Sequence, residues 1–68
     1  MKFEYDKIVD AAYVYLKYPI KEGEAKKTIA LNEDIILDFD KDKKLIGIEI
    51  LNASKVMNKK ALAQVKVS

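Results

Sequence analysis

Apolar and polar residues alternate along this chain in short runs, and most of the runs have the length of a strand. "MKFEY" (Met1–Tyr5) puts Phe3 and Tyr5 on one face and predicts a first strand. "DKIVD" (Asp6–Asp10) reads as a tight turn, with an aspartate at each end suited to side-chain–backbone hydrogen bonds. "AAYVYLKY" (Ala11–Tyr18) alternates Ala12, Val14 and Leu16 against Tyr13 and Tyr15, and is rich in residues that favour strands. Pro19 cannot donate to a ladder and so ends that strand or marks an edge. "KEGE", with Gly23, reads as a loop. Ala25–Leu31 alternates again, Asn32–Asp34 is a turn, and Ile35–Asp40 and Leu45–Leu51 are the fourth and fifth strands. The short links between strands two and five favour an antiparallel meander.

The last two strands are apolar on both faces, so each needs cover on both sides. The C-terminal segment supplies one cover. Asn52 suits the N-cap of a helix from Ala53. A single helix over 53–66 fails on the wheel, because Leu62 falls roughly 120–140° from Val56 and Met57. Split at Asn58, Ala53, Val56 and Met57 form one stripe and Ala61, Leu62 and Val65 another. "QVKVS" also fits an extended strand. The expected fold is α+β: one domain over 1–68, a small antiparallel meander of about five strands over 1–51, and a C-terminal helical segment packed on one face.

Composition narrows the chemistry. A 68-residue chain has neither cysteine nor histidine, which removes disulfides, the usual zinc ligands, and Ser-His-Asp and Cys-His catalysis. A domain this small has little room for a cleft, so the chain does not read as an enzyme, and no cofactor is expected. Net charge is +2 and is unevenly spread. Residues 1–51 hold nine lysines against eleven acids, whereas Lys55, Lys59, Lys60 and Lys66 follow with no acid at all. Every basic residue is lysine, which argues against sequence-specific nucleic-acid recognition. No apolar run approaches the roughly 18 residues of a membrane span, and "MKFEYDK" has no apolar leader stretch. The expected setting is the cytoplasm, with no membrane partner.

"DFDKDKKLIGIE" (Asp38–Glu49) nearly copies the ligand order of a calcium-binding EF-hand loop, with Asp38, Asp40, Asp42 and Glu49 at positions one, three, five and twelve. Position six, however, is Lys43 where that loop needs glycine, and both flanks read as strands. Counted from Leu45, Glu49 stands roughly 13 Å up the returning strand at about 3.3 Å per residue, too far to close a cage. Asp38, Asp40 and Asp42 are thus weak metal candidates on a polar hairpin.

Taken together, "YDKIVDAAYVYL" and "ILDFDKDKKLIGIEILNAS" resemble a family of short prokaryotic proteins known only as a domain of unknown function, with the pattern YDxxxDAxYxYL … LDFDxDGxLxGIEILNAS. The match covers about residues 3–55. It departs at Lys43, where the family has glycine, which implies a positive φ and strain of about 1 kcal/mol there. The resemblance implies a small antiparallel sheet with a C-terminal helix, and no activity. Its signature residues read as architecture: Asp6 and Asp10 cap a turn, Gly47 marks a close approach on a strand, and Asn52 and Ser54 start the helix. The rival reading makes Asp6, Asp10, Glu49, Asn52 and Ser54 a polar site.

Tyrosines cluster in and beside the first two strands, and tyrosine is enriched in protein interfaces. The expected interface combines Tyr5, Tyr13 and Tyr15 with Ile46, Ile48 and Ile50. On this reading the chain is a non-catalytic module that forms a homodimer or binds a small protein partner. Two alternatives belong to other classes: an antitoxin-like regulator with a basic tail, and a metal- or small-ligand-binding protein using the Asp-rich hairpin.

Overall fold

Six strands and two short helices make up the fold. The computed structural model describes residues 1–64 and 66–67, the last two as backbone. β1 (Lys2–Asp6) and β2 (Ala11–Tyr15) form a hairpin. At its turn the Asp6 carboxylate accepts the Ile8 N–H at 3.0 Å. β3 (Lys27–Ala30), β4 (Ile35–Phe39) and β5 (Leu45–Leu51) form an antiparallel meander. Two Asx-type turns shape its corners. Asn32 Oδ1 accepts the N–H groups of Asp34 and Ile35, and Asp40 Oδ1 accepts those of Asp42 and Lys44. Lys43, in the second of these turns, has φ 64°, the left-handed conformation that the family's glycine implies.

The order across the sheet is β3-β4-β5-β2-β1-β6. A meander running from strand two to strand five is therefore corrected: β2 pairs with β5, not with β3. The reason lies in residues 16–26. This link is long enough to pass the ends of β5 and β4, and β2 stops at Tyr15, short of the expected Tyr18. Leu16 and Lys17 both donate to the Ile46 carbonyl (2.9 and 3.2 Å), which closes the strand before Pro19.

The expected break at Asn58 is present. α1 (Ala53–Val56) and α2 (Lys59–Ala63) flank it, and the Asn58 side chain accepts the Lys60 N–H at the start of α2. A helix reaching 66 is corrected, because α2 ends at Ala63 and β6 (Lys66–Val67) pairs in parallel with β1. Val65, placed in the second helical stripe, lies outside the described residues. The segment from β5 to β6 is thus a crossover that passes β2 and β1. α1 packs on β5 and α2, on a path leading away from β3 and β4.

Register sorts the side chains onto two faces. One row runs Phe3–Val14–Ile48–Leu37–Ile29, and its neighbour runs Tyr5–Ala12–Ile50–Ile35. This is the apolar face. The row Lys2–Tyr15–Gly47–Asp38–Thr28 and the row Glu4–Tyr13–Glu49–Ile36–Ala30 occupy the other. A register shift between Asp38 and Phe39 leaves Ile46 as the extra residue of a β-bulge.

Burial is thin. Among the described residues only Ala12, Ile46 and Ala53 are buried apolar groups, and no large side chain is fully enclosed. The accessible surface is 5167 Å². A folded monomer of this 7.8 kDa mass exposes about 4,400 Å². The excess is therefore roughly 800 Å². The radius of gyration, 11.9 Å, likewise exceeds the about 11 Å of a compact domain of this length. One sheet with a nine-residue helical cover cannot close around its own apolar side.

Candidate interaction faces

Tyr5 and Asp10 tie the crossover to the apolar face. Tyr5 Oη donates to Asp10 Oδ1 at 2.6 Å. The same carboxylate accepts the Ser54 N–H at 3.0 Å and the Ser54 hydroxyl at 2.7 Å, and the Ala53 N–H donates to the Asp10 carbonyl at 2.9 Å. Asp10, 44 residues away in sequence, thus caps α1. The Tyr5 and Ser54 donors hold its carboxyl below the usual carboxylate range. Asn52 occupies the cap position but makes no side-chain cap bond. It adopts φ 52°, and its amide donates to Asp34 Oδ1 at 2.9 Å, joining the start of α1 to the β3–β4 turn. Asp10 also has a positive φ, 55°. Asp and Asn are the non-glycine residues that tolerate this conformation best.

The opposite face carries an aromatic row. Tyr13 and Tyr15 lie with ring centroids 4.6 Å apart, Tyr15 and Tyr18 meet edge-on at 5.1 Å, and Lys2 Nζ sits 4.1 Å over the Tyr18 ring. Tyr13 lies across Gly47 and reaches Asp38. An ideal Cβ on Gly47 would stand 2.1 Å from the Tyr13 oxygen, which is the close approach expected of this glycine. Tyr13 Oη donates to Asp38 Oδ2 at 2.5 Å, and Thr28 Oγ1 donates to Asp38 Oδ1 at 2.8 Å. Burial, together with the bond to Asp38, pushes the Tyr13 phenol well above the usual tyrosine range. Beside this row lies an open depression of about 340 Å³, lined by Glu4, Asp6, Ala11, Tyr13, Tyr15 and Glu49 among others. The start of α1 lies on the apolar side, where Tyr5 reaches Ser54 through Asp10.

The six residues expected to form one interface are therefore divided. Tyr5, Ile48 and Ile50 share the apolar face, and Tyr13 and Tyr15 point the other way. Ile46 is 4% exposed, so little of it is left to bury against a partner. The rival polar site does not gather either. Asp10, Ser54 and Asn52 stand at the helix start, whereas Asp6, at the end of β1, and Glu49, paired with Tyr13, line the depression on the opposite face. Nor do the hairpin aspartates converge. Asp38 is held by Tyr13 and Thr28, and Asp40 is occupied by the backbone of its own turn. Among the described residues no three His, Cys, Asp or Glu side chains stand close enough to hold a metal ion.

The Asp10 cap and the Asp34–Asn52 bond are not legible in the sequence, since nothing in the spacing pairs positions 10 and 54 or 34 and 52. The preference of Asp and Asn for positive φ was the one available signal.

A family model described as a protein of unknown function (DUF2283) matches residues 2–54. An uncharacterized protein of Methanocaldococcus jannaschii is 48% identical over 59 residues, which is 85% of this chain and 46% of that protein. The chain thus spans about half the length of the curated relative it matches. No solved structure matches it significantly, and no helix among the described residues is long and apolar enough to cross a membrane.

Proposed function

The chain belongs to this family of unknown function, DUF2283, and we propose that it serves as a non-catalytic, self-associating binding module. The observation that carries this reading is the unclosed core: a sheet with one apolar face, no large side chain fully enclosed among the described residues, and roughly 800 Å² more surface than a monomer of its mass should expose. That excess is close to the ~800 Å² each partner contributes to a protein interface of standard size. Three of the carboxylates that would otherwise suggest chemistry are already occupied by architecture. Asp10 caps a helix, Asp38 anchors Tyr13, and Asp40 shapes a hairpin.

Sedimentation velocity with thermal melts, over protein concentrations from about 1 to 100 μM, tests the reading. The expected result is a dimer mass at the upper end and a melting temperature that rises with concentration, because association stabilises by mass action. A monomer throughout, melting at one temperature, would overturn it.

A further inference from the structure

We infer that the second copy covers the β3–β4 part of the apolar face, with its β3 running antiparallel to the first. This rests on the self-association reading and names its surface and geometry.

The crossover through α1 and α2 leads from β5 past β2 and β1 to β6, so its cover falls on the other half of the sheet. On the β3–β4 half, Ile29 is 41% exposed and shares a row with Leu37. Ile29 and Phe39 floor a shallow depression of about 200 Å³, whose rims are Lys27 and Lys43. The patch is thus apolar at its centre and bordered by lysines at one end, where Asp40, Asp42 and Glu24 line a separate depression.

The opposite end of the same hairpin is acidic. Residues 31–34 turn the chain there, with Glu33 exposed to solvent. The charge along this strip therefore reverses from end to end. A two-fold axis at its middle lays each copy's lysine end over the other's acidic turn, with Lys27 beside Glu33 of the second copy. The opposite orientation would stack lysines on lysines. A two-fold contact uses one patch twice, so that patch must complement itself, and this strip does. A small ligand in the depression would leave most of the roughly 800 Å² excess uncovered. Pairing through the β3 edge alone would leave Ile29 and Phe39 in water.

Sedimentation equilibrium of the full chain and five variants provides the test. Ile29→Lys puts a charge at the centre of the patch and is expected to weaken the dimer about thirtyfold or more, as for an interface hot spot. Ala30→Lys adds the same charge to the same strand on the other face, and is expected to leave the dimer intact. K27E and E33K are each expected to weaken it about tenfold through like-charge contact, and K27E/E33K together to restore it. If Ile29→Lys fails to fold by circular dichroism, the charge exchange decides. A wild-type dimer that tolerates Ile29→Lys, or a double exchange that restores nothing, overturns this geometry and leaves self-association standing. A wild-type monomer overturns self-association itself.

Discussion

Gly47→Ala is a methyl-sized change with a large expected cost. An added Cβ meets the Tyr13 oxygen at 2.1 Å and two of its ring carbons at 2.7 Å, far inside van der Waals contact. Gly47 sits on a central strand, between β2 and β4, so the ring must yield. It then leaves Asp38, forfeiting a hydrogen bond to a carboxylate. That loss is worth about 1–2 kcal/mol, and forced repacking adds about 1–3 kcal/mol. The sum is about 2–5 kcal/mol. For a domain of this size it lowers Tm by about 10 °C or more at fixed protein concentration. Urea unfolding of a double-mutant cycle isolates the cause. In a Tyr13→Ala background the ring is absent, and alanine in a strand interior is better than glycine by about 0.5–1 kcal/mol. The same substitution should there be neutral or stabilising, which makes the coupling at least about 2 kcal/mol. Gly47→Ala within about 0.5 kcal/mol of wild type, or equally costly in both backgrounds, would refute the seating of Tyr13 on Gly47.

Two further predictions concern the turns. Lys43→Gly removes a side chain from a φ of 64° and should stabilise the protein by about 1 kcal/mol, read as a higher urea midpoint; no gain would mean that the hairpin carries no strain there. Asp10 has a folded pKa depressed by its Tyr5 and Ser54 donors, so its contribution is present above the unfolded value near pH 3.9 and is lost as pH falls through the lower folded value. Asp10→Asn should therefore destabilise the protein at neutral pH and flatten the acid limb of a stability–pH curve, and two parallel curves would refute the role.

Local chemistry was legible in the sequence where one short segment decides the outcome. The bounds of β5, Leu45–Leu51, follow from its apolar run. The break at Asn58 follows from a helical wheel that cannot keep Leu62 with Val56. The φ at Lys43 follows from the two-strand flanks and the family's glycine. Non-local pairing was not legible. β2 carries the same alternation whether its neighbour is β3 or β5, and nothing in 16–26 states how far that link travels. Nor does alternation alone show which tyrosines share a face. Tyr5 and Tyr13 sit on different strands, and only the register Glu4↔Tyr13 and Tyr5↔Ala12 places them on opposite faces.

The pairing of β2 with β5 also sets the order in which the chain must assemble. The β1–β2, β3–β4 and β4–β5 contacts are hairpins, closed over a few residues each, and such hairpins form within microseconds. The β2–β5 seam joins Tyr13 to Glu49, 36 positions apart, and merges two locally paired pieces into one sheet. Entropy is lost there before most of the apolar face is assembled, so the seam rather than any hairpin limits how fast the domain folds. Until it closes, the edges of β2 and β5 are open to any other strand, including the same strands of a neighbouring chain.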